Sequence, residues 1–94
     1  MPYYFYVLRS TKDGDLYKGV AEDVERRVAQ HNAGKTKSLR HRVPLELVDV
    51  EEYATREDAL TREKWAKTLE GGKELRRLFS EVGSPARAGK PGTG

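Results

Sequence analysis

Cysteine does not occur in the 94-residue chain, which excludes disulfide frameworks, cysteine-held zinc and thiol nucleophiles. No apolar run approaches the roughly 20 residues that a membrane-spanning helix needs, and nothing at the start reads as a signal peptide. The expectation is a soluble, cytoplasmic protein that does not engage a membrane. No internal repeat is visible. Neither positive nor negative charge dominates, with 18 Lys and Arg against 15 Asp and Glu, a net +3. Hydrophobic residues make up 36% of the chain, enough for a small two-layer core. A chain this short buries only about 60–65% of its unfolded surface, so one domain is the limit.

The small net charge hides an uneven distribution. Residues 1–44 hold nine Lys and Arg against five acids, and residues 45–82 hold seven against ten. Residues 83–94 carry four of the nine glycines and two of the four prolines, with Arg87 and Lys90 as their only charges. This composition predicts a disordered tail from 83 to 94 behind a single folded domain over 1–82.

Along the domain, the aromatic and β-branched stretch 3–9 predicts a strand, and Asp13-Gly14 predicts a two-residue hairpin turn into a second strand over 15–21. Asp23 suits the N-cap of a helix that Gly34 ends. After Pro44 a third strand is predicted over about 45–53. Thr55 with Asp58 resembles a capping box for a helix running to about Leu69, where Gly71-Gly72 breaks it. Leu75, Leu78, Phe79 and Val82 form the stripe of a third helix. The order ββαβαα predicts an α/β (α+β) fold, a small three-stranded sheet flanked by helices.

Several polar residues occupy positions where apolar ones belong. With a two-residue turn, paired hairpin positions place Tyr6 opposite Ala21 and Tyr17 opposite Ser10. Both tyrosines then project from one face, roughly 13 Å apart at the backbone. Gly19 shares that face and leaves a space where a ligand could approach. The plain reading is that the tyrosines of the first strand simply pack, with their hydroxyls reaching water.

On the first helix, Arg27 and His31 lie on the stripe of Val24 and Val28, while Arg26, Glu25 and Gln30 point away. An inward guanidinium needs an anionic partner or a wet cleft; at the stripe's edge it would snorkel to solvent instead. His31 reads either as an ordinary partly buried histidine or as a catalytic one. Glu63 sits within the apolar arc of the second helix, flanked by Ala59 and Ala66. Such a carboxylate must be paired, with Arg27 a candidate partner, or bind a metal. The acids Asp49, Glu51 and Glu52 read as a solvated strand surface.

The segment from Lys35 to Arg42 contains Lys35, Lys37, Arg40 and Arg42 with Ser38, His41 and no acid. Hydroxyls and cations together suit phosphate oxygens. It is not a P-loop, because the required spacing is absent and Gly34 ends a helix instead of opening one. Lys18 shares this basic half of the chain.

Tyr6, then Tyr17-x-Gly19, then Arg27 and His31 on the next helix, then Glu63 on a later one: this ordered set resembles the GIY-YIG nuclease superfamily, and most closely its small single-domain bacterial members. The resemblance runs over about residues 3–80, most specifically through Leu16 to Asn32, with Gly34 to Ser38 and Arg62 to Lys64 in support. It implies a metal-dependent endonuclease that hydrolyses DNA phosphodiester bonds, with a non-catalytic nucleic-acid-binding module as the alternative. Glu63 would hold a divalent Mg²⁺ or Mn²⁺ ion and Arg27 would clamp the phosphate. Tyr6 or Tyr17 would be the general base, His31 and the other tyrosine would orient or relay protons, and Gly19 would keep the strand open. Lys18, Lys35, Lys37, Ser38, Arg40, His41 and Arg42 would contact the nucleic acid. The partner would be DNA read through its backbone, branched and single-stranded forms included, and the protein would act as a monomer. Three features depart from the pattern. Tyr4-Phe5-Tyr6 lacks the first glycine, Lys18 replaces an isoleucine, and Asn32 precedes Glu63, so a distal asparagine has no counterpart.

Overall fold

The structure, a computed structural model, describes residues 1–79. The expected tail over 83–94, the domain limit at 82 and Val82 of the third-helix stripe lie outside the described residues. The elements follow the predicted order: β1 (Tyr3–Ser10), β2 (Leu16–Ala21), α1 (Val24–Asn32), β3 (Leu45–Tyr53), α2 (Arg56–Ala66) and α3 (Leu69–Phe79). The predicted basic loop is instead a 3₁₀ turn over Lys37–Arg42. β1 lies in the middle of an antiparallel sheet ordered β2-β1-β3, so β2 and β3 are both edge strands.

Alternation along β1 splits the core in two. Phe5 and Val7 face α2 and α3, packing with Ala66 and Leu75. Tyr6 and Leu8 face α1 and the 3₁₀ turn, packing with Leu39 and Leu45. The sheet is thus covered on both faces, and its most buried strand is the one predicted from aromatic and β-branched content.

The hairpin differs from the sequence expectation. Ser10 pairs with Asp15 through a 2.8 Å backbone bond, so Thr11 to Gly14 form a four-residue loop. Gly14 supplies the positive φ of 78° that closes it. The register moves by two residues, which places Tyr6 opposite Gly19 and Tyr17 opposite Leu8. A shift of two keeps every side chain on its face. Tyr6 and Tyr17 therefore remain on one face, and they become diagonal neighbours, with ring centroids 6.3 Å apart.

Both predicted caps form: Asp23 accepts from the Arg26 backbone N–H and Thr55 from that of Asp58. At the far end of α1, Gly34 takes φ 80°. Asn32 grips β3 at its start, its amide donating to the Leu45 carbonyl (3.0 Å) and its carbonyl accepting from the Leu45 N–H (2.6 Å). That grip gives the chain's only asparagine a structural role.

Two further expectations are corrected. Gly71-Gly72 does not end α2, which stops at Ala66; both glycines are buried within α3. A Cβ on Gly71 would land on the Trp65 carbonyl, so the glycine lets α3 turn tightly against the end of α2. Leu78, assigned to the buried stripe, is 40% exposed.

Asp49 and Glu51 are not a solvated surface either. A bulge in β3 opposite Val7 and Leu8 keeps both acids on the α2 face, where they are half-buried. Arg62 reaches from α2 to Glu51 with a two-pronged bond, 2.8 and 3.1 Å, while its guanidinium lies 5.3 Å from the Phe5 ring centroid and 4.5 Å from that of Trp65. Arg62 holds Glu51 at about 2, well below the usual carboxylate range, whereas burial and the adjacent Glu51 push Asp49 up to about 6. On the same face, Arg9 ties the sheet to the end of α3 by donating to the Phe79 carbonyl at 2.8 Å.

The two glycines of α3 should respond oppositely to alanine. Gly71→Ala is expected to lose about 1–3 kcal/mol through overpacking, several degrees in Tm. Gly72→Ala, where the nearest atoms to a new Cβ stand 3.8 Å away, should be neutral or gain up to about 1 kcal/mol from helix propensity. Thermal unfolding of both variants checks this.

Candidate active site

A polar cleft opens at the β2 edge, where α1 from one face of the sheet and α2 from the other both contribute side chains. It encloses about 170 Å³. β1 contributes Tyr3 and Tyr6, and β2 contributes Tyr17, Gly19 and Val20. α1 sends in Arg27, and α2 sends in Arg56, Leu60 and Glu63.

Tyr6 is the anchor. It is 1% exposed, and its ring crosses β2 directly over its paired residue Gly19. A Cβ on Gly19 would stand 2.5 Å from the Tyr6 hydroxyl. The space expected to admit a ligand is therefore filled by the phenol, and the glycine serves to let that phenol reach the sheet edge. Neighbouring strands are only about 4.8 Å apart, so a tyrosine ring is long enough to span the gap.

The Tyr6 hydroxyl lies 3.3 Å from His31 Nε2, and His31 Nδ1 lies 2.5 Å from the Thr36 hydroxyl. His31 is fully buried, more deeply than the sequence suggested. Tyr17 packs edge-on against its ring, with centroids 5.1 Å apart. Burial, and secondarily the Arg27 charge, hold the imidazole below its ordinary 6.5. The neutral ring can accept from Tyr6 at Nε2 while donating to Thr36 from Nδ1. Burial pushes the Tyr6 phenol up to about 12, with Tyr17 and Glu63 adding to the rise and Arg27 opposing it.

Arg27 combines both of its sequence readings. The residue is exposed, yet its guanidinium lines the cleft close enough to act on the Tyr6 hydroxyl. Gln30, expected to point away, accepts from Arg27 Nη1 at 3.1 Å and steadies it. Glu63 is 20% exposed and pairs with Lys67 one turn on, at 3.2 Å, and not with Arg27. The buried Arg27–Glu63 ion pair considered from sequence is therefore absent among the described residues.

The expected nucleic-acid contacts divide. Lys18 lies on the opposite face of β2 from Tyr17 and Gly19, opposite Val7. Lys35, Lys37 and Arg40 are exposed but do not line the cleft, and Arg40 is turned back to donate to the Gly34 carbonyl at 2.7 Å. Ser38, His41 and Arg42 belong to the 3₁₀ turn, and their side chains lie outside the described ones.

Sequence reasoning missed Thr36, Gln30, Arg56, Tyr3 and Lys67. Thr36 was within reach, because a buried histidine needs a partner for its second nitrogen and the next hydroxyl after Gly34 is the nearest in sequence. Arg56 and Tyr3 come from the opposite face of the sheet, and only the tertiary arrangement brings them to the edge.

As to metal, no group of three or more His, Asp or Glu side chains gathers among the described residues. Among the described residues Glu63 is the sole carboxylate of the cleft, beside the phenol oxygens of Tyr3, Tyr6 and Tyr17. This donor set fits a hard divalent cation that keeps most of its waters and takes oxygens from a substrate; it does not fit a permanently caged ion.

His31 is expected to titrate below 6.5 by NMR. Between its folded and unfolded pKa values the unfolded chain binds more protons, so stability from this group is complete above about 6.5 and is lost as pH falls through the folded value. His31→Gln should flatten that part of the stability–pH curve, measured by denaturant unfolding between pH 5 and 8. Gly19→Ala should displace Tyr6 and lower stability by about 1–3 kcal/mol.

The model of the GIY-YIG catalytic domain matches residues 2–75. A UPF0213 protein of Natronomonas pharaonis is 43% identical over 82 residues, covering 86% of this chain and 95% of that one. Another, from Staphylococcus saprophyticus, is 41% identical over 80 residues, covering 84% and 95%. The solution NMR structure of a UPF0213 protein from Bacillus halodurans aligns with a TM-score of 0.50 at 34% identity, over 85% of this chain and 87% of that chain. No helix among the described residues is long and apolar enough to cross a membrane. From the first strand into the third helix the match is continuous, and the protein belongs to the GIY-YIG family.

Proposed function

We propose that the protein is a metal-dependent endonuclease that hydrolyses DNA phosphodiester bonds. One observation carries this reading: Tyr6, Tyr17, Arg27 and Glu63, from four separate elements, line a single polar cleft. Membership of the GIY-YIG family, a nuclease superfamily, supports it. A module that only binds nucleic acid has no use for a carboxylate placed among those groups.

Glu63 would hold a hydrated Mg²⁺ or Mn²⁺, which polarises the scissile phosphate and neutralises its developing charge. Accepting that ligand role requires Glu63 to release Lys67. Arg27 offers a planar fork to two phosphate oxygens, and Gln30 keeps the fork oriented. Tyr6 takes the proton of the attacking water at its phenolic oxygen while passing its own to His31 Nε2. The hydroxyl then never needs to be a free phenolate, and its elevated pKa is no obstacle. Thr36 fixes the imidazole tautomer from the other side. Tyr17 closes the His31 ring in and bounds the cleft at the strand edge.

Incubation with single-stranded, duplex and branched DNA, with and without Mg²⁺ or Mn²⁺, tests the proposal. Cleavage by the unmodified protein should require the metal. Glu63→Gln and Arg27→Ala should each lose at least about 10²-fold in single-turnover rate, the scale of removing a charge-stabilising group. Tyr6→Phe should lose more than Tyr17→Phe. The rate should fall on the acid side as His31 protonates, below pH 6.5, and His31→Gln should remove that limb. Binding with no metal-dependent nicking, unchanged in Glu63→Gln, would establish the binding-module alternative.

A further inference from the structure

The surface beyond the cleft holds a group of cations that the proposed chemistry does not use. Lys18 projects from the edge strand β2 on the α2–α3 face. Lys67 caps the C-terminal end of α2, with its side chain 58% exposed. Arg76 is exposed on α3 and folds back over Gly72; its Nη1 and Nη2 atoms lie 3.8 and 4.0 Å from where a Cβ on that glycine would stand. The same point is 3.8 Å from the Ala66 carbonyl oxygen, so Arg76 overlies the end of α2 where Lys67 begins. Arg76 and Lys67 thus share the end of α2, and Lys18 projects from β2 on the same face of the sheet. The Lys18 ammonium is held below its ordinary range first by burial and then by the charges of Arg76 and Lys67, with Asp15 opposing.

This group is continuous with the cleft, because Lys67 is also the residue that pairs with Glu63. Arg27 shares the cleft with Glu63 from the α1 face of the sheet edge, Lys67 pairs with Glu63 from the end of α2, and Lys18 and Arg76 extend the positive charge along that α2–α3 face. Cations on both sides of one carboxylate suit a polyanion that crosses the β2 edge. Its central phosphate would lie at Glu63 and Arg27, and its next phosphates against the three cations.

We infer that Lys18, Lys67 and Arg76 form a second backbone-phosphate contact for the nucleic-acid strand whose scissile group occupies the cleft. This rests on the proposed nucleic-acid reading of the cleft. It also moves the principal flanking contact away from the basic segment 35–42. The contact reads backbone charge, so it adds affinity without sequence preference. When a substrate enters, Lys67 exchanges the Glu63 carboxylate for a phosphate oxygen, which frees Glu63 for its own role.

The test is fluorescence anisotropy of a labelled single-stranded oligonucleotide and its duplex, without divalent metal, across a range of salt concentrations. The double variant Lys18→Met/Arg76→Met is compared with Arg26→Met/Arg77→Met, which removes the same charge elsewhere. The first should weaken binding about tenfold or more at low salt and reduce the salt slope by about 1.5–2, the loss of two phosphate contacts. The second should leave the slope near that of the unmodified protein. Gly72→Glu, which sets a carboxylate beside the Arg76 guanidinium without deleting a cation, should weaken binding in the same direction. If the cations only stabilise the end of α2, the first variant will lower Tm and leave the salt slope equal to the control, and the proposal falls. If the unmodified protein binds and the Lys18/Arg76 variant binds equally, this contact is wrong and the cleft reading stands. If the unmodified protein binds no form of DNA, both are overturned.

Discussion

The tyrosine at position 6 lies flat across the one residue of β2 that has no side chain. Central β1 directs Tyr6 to the α1 face, Gly19 clears its path, and His31 receives its hydroxyl. From that contact the rest of the site takes its position. His31 is fixed from behind by Thr36 and from the side by Tyr17, so α1 is locked to the hairpin and its next inward turn carries Arg27 to the sheet edge. A tyrosine in the core would normally pack and send its hydroxyl to water. Here the hydroxyl is retained inside, next to a histidine that burial keeps neutral.

The second constraint is that the two halves of the site come from opposite faces of the sheet. An interior position in the sheet would keep Arg27 and Glu63 apart, with β-strands between them. β2 is an edge strand, and α1 and α2 both overhang it, so a guanidinium and a carboxylate can meet around the rim without pairing directly. Each is engaged by a neighbour on its own helix, Gln30 for Arg27 and Lys67 for Glu63. Both are local contacts, an i, i+3 hydrogen bond and an i, i+4 ion pair of the kind that contributes about 0.3–0.5 kcal/mol on a helix. A two-pronged ion pair lies elsewhere: Arg62 on Glu51, with its guanidinium over the Phe5 and Trp65 rings, ties α2 to β3 one residue before Glu63.

The fold was legible because its signals are local. Aromatic alternation marked β1, Asp23 and Thr55 marked helix starts, and hydrophobic spacing assigned Ala59 and Ala66 to the buried side of α2. Tyr6 and Tyr17 were placed on one face correctly even though the hairpin loop has four residues and not two, because the error was even and the strand period is two. Their proximity was not legible, since it depends on register. The glycines were misread where their purpose is tertiary: Gly71 seats α3 against the Trp65 carbonyl, and Gly19 makes way for Tyr6. Asp49 and Glu51 looked like solvated acids because a bulge and an arginine from another element decide their burial. Glu63 and Arg27 line one cleft as the sequence placed them, while Arg56 and Tyr3 join it only through the packing of α2 across the sheet and Lys67 enters as the i, i+4 partner of Glu63.

In the proposed reaction one edge cleft, with Glu63 at its centre, receives both the divalent metal and the phosphate. Paramagnetic broadening by Mn²⁺ in the presence of a phosphorothioate oligonucleotide that resists cleavage tests it most directly. The amide signals of Gly19, Val20, Leu60 and Glu63 should broaden first, and Glu63→Gln should abolish the effect while the protein stays folded. Broadening centred on Asp49 and Glu51, or broadening at the cleft that survives Glu63→Gln, would contradict the account.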